Sequence, residues 1–336
     1  MSRLRWGVLG VAKIAVTKVI PAMQRGAWTE VTAIASRNRA RAVEAADALG
    51  IGKSYGAYED LIADPEVEAI YIPLPNHLHV PWTIRAAEGG KHVLCEKPIA
   101  LSAADARTLV EVRDRTGVLI QEAFMVRTHP QWTRAAAFVR EGRIGELRSM
   151  LGCFSYFNDD PRNIRNVPEF GGGALMDIGC YLVSTGRFMF GREPRRVAGA
   201  IDRDPALGVD RLTSMLLDFG GGHLAGTCGT QLVPYQRVQI LGSAGRIEIE
   251  IPFNAPPDRP CRMLVDGVGD LAGAGVEVIE FPICDQYTIQ ADLFSNAVMR
   301  GRPAPVPLED AVANMAGIEA VFRSAETGRW ESPEGY

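Results

Sequence analysis

Two patterns of apolar and polar positions divide the chain. Over the first ~120 residues, short unbroken apolar runs alternate with stretches of helical periodicity, the spacing of βαβ units. "RWGVLGV", "EVTAIAS", "VEAIYIPLP", "KHVLCE" and "VLIQEAF" read as strands. Between them "AKIAVTKVIPAMQ", "RARAVEAADALG", "VPWTIRAAEGG" and "SAADARTLVEVRDRTG" read as helices. Gly50 closes the second helix as its C-cap, and Ser102 opens the fourth as its N-cap. Strands that are apolar throughout, separated by helices, predict a parallel sheet covered on both faces.

Beyond residue 125 the texture changes. A helix, "WTRAAAFVREG", precedes a long strand, "LRSMLGCFSYF", and a helix that starts on glycines, "GGGALMDIGCYLVSTGRFMFG". Then "RRVAGAI", "RLTSMLLDF", "HLAGTCGTQ", "RVQILG" and "RIEIEI" follow one another as strands with only turns between, the mark of an antiparallel sheet. Two helices, "DQYTIQADLFSNAVMRG" and "LEDAVANMAGIEAVFRSAETG", end the chain, and "FNAPPDRP" reads as a rigid loop. At 336 residues the chain is long for one core. The expected fold is α/β: a parallel-sheet domain over 1–123 and an α+β domain with a large, mainly antiparallel sheet over 124–336.

Composition narrows the partners. A net charge of −4 gives no pull toward nucleic acid or an anionic membrane. No apolar run approaches the ~18 residues of a membrane helix. The N-terminal "MSRLRWGVLGVAKIAV" is cut by Lys13 and reads as a first strand, not a leader. Six cysteines are scattered with no CxxC pair, which reads as reduced core thiols in the cytoplasm and leaves no metal-ligand spacing. The 36 basic residues include only five lysines, the last of them Lys97. Where arginine serves for ordinary charge, a lysine beside a core strand draws notice, because an amine can change protonation near neutral pH.

Two places carry candidate chemistry. The first strand runs into "GVLGVAKIA", where Gly10, Ala12 and Ala15 take the positions of the dinucleotide fingerprint. Gly10 permits the tight turn; Ala12 departs from the fingerprint by a methyl. The second strand ends in "AIASRN", with Ser36 and Arg37 where an NAD-binding domain places a carboxylate. A hydroxyl and a guanidinium suit a 2′-phosphate, so the expected cofactor is NADP(H). The second place is "HVLCEKPIAL": a core strand runs straight into Glu96 and Lys97, with Pro98 restricting the backbone behind them. Strand ends of this kind are where open α/β sheets bind ligands. In "GGGALMDIGCY", Asp177 and Tyr181 are four apart and share one helix face.

"EKP" after a core strand, with "PLPNHLH" before it and "EAFMVRTHPQW" and "GGGALMDIGCY" after it, resembles the glucose–fructose oxidoreductase/inositol dehydrogenase (Gfo/Idh/MocA) family along the whole chain. The resemblance implies an N-terminal Rossmann domain and a C-terminal domain whose open sheet joins subunits into a homodimer or homotetramer. It places Lys97 at the reacting carbon and a proline with a frequent cis bond at Pro98. The motif D-x-x-x-H or D-x-x-x-Y appears here in its tyrosine form, as in aldose and dihydrodiol dehydrogenases. Tyr181 is then the general acid/base, Lys97 the ammonium that favours its phenolate, and Asp177 a substrate-hydroxyl acceptor that also orients Lys97. No metal is needed.

The same resemblance sets the remaining expectations. Gly10, Ala12, Lys13 and Ile14 would cradle the dinucleotide, and Ser36 and Arg37 its 2′-phosphate. Leu74, Pro75, Asn76 and His79, beside His77, would lie along it, with Glu96, Lys97 and Tyr287 near the nicotinamide. Arg127, His129, Asn163 and Arg165 would meet a hydroxyl-rich substrate. The implied activity is hydride transfer between NADP(H) and a sugar or polyol, foremost aldose oxidation at C1. Reduction of a keto-sugar, oxidation of a trans-dihydrodiol and a non-catalytic NADP-binding regulator are the alternatives.

Overall fold

The structure is a computed structural model that describes residues 2–267 and 271–333. It separates into two compact units, Met1–Met125 with Asp285–Val312, and Val126–Cys284 with Ala313–Tyr336.

The first unit is built on a six-stranded parallel sheet. Its strands are β1 (Leu4–Leu9), β2 (Thr29–Ala35), β3 (Lys53–Tyr55), β4 (Ala69–Ile72), β5 (His92–Cys95) and β6 (Ile120–Glu122). They lie in the order β3-β2-β1-β4-β5-β6, so the chain reverses direction across the sheet between β1 and β4. Helices α1 (Ile20–Gln24), α2 (Arg39–Leu49), α3 (Tyr58–Ala63), α4 (His79–Glu88) and α5 (Ala103–Thr116) make the crossovers. The two expected caps are present. Gly50 closes α2 at φ 66°, a left-handed conformation that glycine adopts without strain, and the Ser102 side chain accepts the Asp105 amide at the start of α5.

A late helix, Gln286–Met299, completes this unit, so the stretch expected to form one continuous second domain over 124–336 returns to the first. The cause is burial. Trp6 in β1 is fully enclosed, packs at a tilt against Phe294 with ring centroids 5.5 Å apart, and donates its indole N–H to Ser295. Enclosing two such rings is worth about 1.5–3 kcal/mol each. Asp292 accepts the amides of Ala27 and Trp28, and Asp285 pairs with Arg25 at 2.6 Å. Residue 1 and residues 268–270 and 334–336 of the expected spans lie outside the described residues.

The second unit carries an eight-stranded sheet. Its strands are β7 (Leu147–Phe157), β8 (Arg196–Arg203), β9 (Asp210–Asp218), β10 (His223–Gly229), β11 (Gln231–Gly242), β12 (Arg246–Ile249), β13 (Cys261–Asp266) and β14 (Val276–Phe281). The order is β14-β13-β12-β11-β7-β10-β9-β8, antiparallel except where β10 runs parallel to β7. Helices α6 (Pro130–Arg140) and α7 (Cys180–Phe190) accompany it, α7 directly preceded by a π-helical turn, Leu175–Gly179. The α7 face of β7 is so close that a Cβ on Gly152 would stand 2.6 Å from Leu182. Alternate residues of β7 therefore point at α7, and Phe154 and Tyr156 share that face.

Candidate active site

In the first unit the dinucleotide turn is intact. Gly10 has φ 106°, closed to other residues, and a Cβ there would reach within 2.9 Å of Leu74. Its amide donates to the Ala35 carbonyl, tying the ends of β1 and β2 together. Ala12 and Ile14 pack on the core together with Tyr287. Lys13 is exposed on the first turn that follows. A π-helical turn, Ala15–Val19, then leads into α1. Such turns are rare and concentrate at functional sites.

At the end of β2 Arg37 is exposed, and its guanidinium acts on the Tyr58 hydroxyl and on His77. Burial raises the Tyr58 phenol, while Arg37 and Arg41 pull it back. Arg41, an exposed residue of α2 that the sequence analysis did not single out, thus joins Arg37 to make a two-cation corner. Ser36 is enclosed, and its hydroxyl accepts the Asn38 amide, so it shapes the turn that presents Arg37. A glycine turn that leaves room for backbone approach, with two guanidinium groups at the end of β2, fits a dinucleotide bearing a 2′-phosphate.

At the end of β5 the Lys97–Pro98 peptide is cis. The Tyr71 hydroxyl, itself buried, donates to Glu96 at 2.6 Å, and Glu96 accepts the Lys97 amide at 3.3 Å. On the far side Glu122 accepts the Ile99 amide at 2.8 Å. Tyr287 lies within electrostatic reach of this turn. Burial raises its phenol, Glu96 adds to the rise and Lys97 opposes it. Gly10, Leu74, Glu96, Lys97 and Tyr287 are thus assembled in one unit by backbone turns and a buried phenol. Pro75 precedes a short 3-10 turn, Asn76–Leu78. His79 is fully enclosed with both ring nitrogens on main-chain carbonyls, which makes it a brace within the fold instead of the cofactor contact expected.

In the second unit the expected pair sits at a helix junction. Asp177 lies in the π-helical turn and Tyr181 in the first turn of α7. Tyr156, unnoticed in the sequence, donates its hydroxyl to Asp177 Oδ2 at 2.6 Å, and Arg165 Nε lies 3.0 Å from the same oxygen. The Tyr181 ring is held by Phe154 and Phe253, with centroids 5.8 and 5.5 Å away. Of the residues expected to meet substrate, Arg165 is joined to Asp177. Asn163 accepts the Arg165 amide and so shapes the loop that carries it. Arg127 lies over Phe188 and donates to Ser184, both on α7. His129 is buried, caps α6 by accepting the Gln131 amide and meets Cys284 at 3.4 Å, a structural placement that corrects the expectation of a pocket-lining ring.

The junction is pinned by Asp210 at the start of β9, which the sequence pattern did not single out. Its Oδ2 accepts the Leu175 amide at 2.7 Å and the Thr213 hydroxyl at 2.8 Å. Gly173 is required alongside: at φ 111°, its Cβ would fall 1.9 Å from Asp210 Oδ1. Burial pushes the Asp210 carboxyl up to about 6, against the two hydrogen bonds. The folded form therefore binds a proton more tightly than the unfolded chain. The stability that Asp210 contributes should therefore fall as pH rises from about 4 to 6, by up to about 3 kcal/mol, and level off above. Asp210→Asn keeps an acceptor for Leu175 and should remove that segment of the melting-temperature profile. An unchanged slope between pH 4 and 6 would contradict the assignment.

A parallel sheet in this order, with a ligand turn at the β1/β4 reversal, defines a dinucleotide-binding domain of the Rossmann type. The chain belongs to the Gfo/Idh/MocA oxidoreductase family. Residues 4–124 match its oxidoreductase model with the NAD-binding Rossmann fold, and residues 132–248 match its C-terminal domain model. The chain is 49% identical over 333 residues to the uncharacterized oxidoreductase ORF334 of Rhizobium meliloti, covering 99% of this chain and 100% of that protein. It is 40% identical over 331 residues to D-xylose 1-dehydrogenase (NADP(+)) 2 of Haloferax volcanii, covering 97% and 98%. It is also similar, at TM-score 0.89 and 31% identity over 96% of this chain and 98% of the other, to KijD10, a 3-ketoreductase from Actinomadura kijaniata solved with NADP and TDP-benzene. Among the described residues no group of three His, Cys, Asp or Glu side chains could hold a metal ion, and no helix is long and apolar enough to cross a membrane.

Proposed function

We propose that the chain oxidises an aldose at its anomeric carbon with NADP(H), using Tyr181 as acid/base, Lys97 as its electrostatic partner and Asp177 as a hydroxyl acceptor. The observation that carries this most is the Asp177 carboxylate fixed by Tyr156 and Arg165 one helical step before a buried Tyr181. Bound NADP+ supplies the hydride acceptor. The chain's own part is to handle the proton. As the C–H bond breaks, the hydroxyl proton passes to the Tyr181 oxygen, and the role assigned to the Lys97 ammonium is to favour the phenolate that must receive it. Asp177, held by two donors on Oδ2, offers a fixed acceptor to a second hydroxyl, which favours polyols over simple alcohols.

The cofactor is NADP(H). The Arg37 and Arg41 corner supplies the charge, and no carboxylate ends β2 to repel a 2′-phosphate. Ser36→Asp with Arg37→Ala should raise the KM for NADP+ about 10–100-fold, the worth of one or two charge-assisted hydrogen bonds, while the KM for NAD+ holds or falls. If the preference for NADP+ survives, the phosphate is held elsewhere.

A second reading, reduction of a keto-sugar, is favoured by the likeness to a structure named as a 3-ketoreductase. The same groups would serve in reverse, Tyr181 giving its proton to the carbonyl oxygen. Following the nicotinamide absorbance with NADP+ and a panel of aldoses, then NADPH and keto-sugars, separates the two. Aldonolactone formation is expected. NADPH consumption with keto-sugars alone would favour the reductase, and tight NADPH binding with no turnover a regulator.

The proposed homo-oligomer would use the outer face of the large sheet, where Leu151, Phe157 and Tyr235 are exposed. All six cysteines are free thiols, which suits the proposed cytoplasmic location.

A further inference from the structure

His79 begins α4, is 0% exposed, and its ring stands between two main-chain carbonyls. Nδ1 is 2.8 Å from the Pro98 oxygen and Nε2 is 2.7 Å from the Leu74 oxygen. The carbonyls belong to different loops. Leu74 follows β4 and is the side chain that a Cβ on Gly10 would strike. Pro98 follows Lys97 at the end of β5. The neighbours of Lys97 are anchored elsewhere, Glu96 by Tyr71 and Ile99 by Glu122. His79 reaches from this turn across to the next loop.

We propose that His79 is a positioning residue, bracing the peptide behind Lys97 against the dinucleotide-side loop so that the amine keeps a fixed place relative to the Gly10 turn. This rests on the role proposed for Lys97. An enclosed ring with both nitrogens on carbonyls cannot itself touch cofactor or substrate; it can only set the spacing of the loops it joins. Burial lowers the ring to about 4, Lys97 and His77 push the same way, and the two carbonyls oppose them. At neutral pH the ring is therefore neutral, with one N–H for two acceptors. The brace holds by one hydrogen bond and by the volume of the packed ring. A displacement of about 1 Å at a reacting group can cost on the order of 10²-fold in rate, so a loose brace should be visible in kcat.

The test compares His79→Leu, which removes the donor, with His79→Gln, which restores an amide donor. NADPH binding to the apoprotein is read by fluorescence, folding by circular dichroism, and kcat and KM with the aldose that the wild type turns over best. His79→Leu should bind NADPH within about threefold of wild type and lose at least about tenfold in kcat, with most of it regained in His79→Gln. Unchanged kcat in folded His79→Leu overturns the proposal. So does an equal loss in NADPH affinity, which would make the residue a cofactor anchor. If His79→Leu does not fold, His79→Gln is set against the shorter His79→Asn; equal kcat in the two overturns it. Lys97→Ala is run beside them: full activity there would sink the Lys97 assignment itself, whereas full activity in His79→Leu alone would sink only the brace.

Discussion

Replacing Lys97 by alanine is expected to lower kcat by about 10³-fold or more while NADPH still binds within about threefold of wild type. The split follows from where the residue stands. Its backbone is set by the Glu96 and Ile99 anchors and by a peptide that does not need the amine. The dinucleotide turn at Gly10 and the Arg37 corner are built from other residues. Removing the amine therefore strips charge from the reaction and little from binding. Stopped-flow turnover and NADPH fluorescence measure the two halves separately. Retained activity would refute the role, and lost NADPH binding would make Lys97 a cofactor ligand.

Tyr181→Phe should cost about 10²–10⁴-fold in kcat at every pH, the usual worth of a positioned proton donor or acceptor. The ring is packed between Phe154 and Phe253, so phenylalanine keeps that packing and the melting temperature should hardly move. A pH–rate profile matching the wild type in height and shape would assign the proton to another group. If Tyr156→Phe showed the larger loss, the base would be the phenol on Asp177.

Much of the first unit was legible because a buried parallel sheet writes itself as unbroken apolar runs. β3 and α3 escaped because "KSY" and "YEDLIA" are too short and too polar to show a period. β13 and β14 were not singled out, although "VEVIEF" carries the alternation of a half-buried strand; the proline-rich loop before β13 and the glycine-rich stretch before β14 cut the runs short. The return of Gln286–Met299 to the first unit depends on Trp6 and Ser295, 289 positions apart, and no local pattern records such a pairing.

The candidate site divides the same way. Lys97, Asp177 and Tyr181 stood out through motif spacing, and Gly10 through the turn it permits. Tyr156 lies inside a strand run, Arg41 inside an alanine-rich helix and Asp210 just ahead of a strand, and no local pattern singles any of them out. Each has meaning only through a partner far along the chain. The π-helical turn at Leu175–Gly179 is also silent in the sequence, since one extra residue in a helix leaves the composition unchanged.

Deuterium tracing tests the proposed reaction most directly. The enzyme is incubated with NADP+ and an aldose carrying deuterium at C1, and the NADPH formed is examined by proton NMR. Direct hydride transfer from the anomeric carbon predicts one deuterium at nicotinamide C4 for each aldonolactone released. Unlabelled NADPH, or none formed with any aldose while the protein binds NADPH, would contradict it.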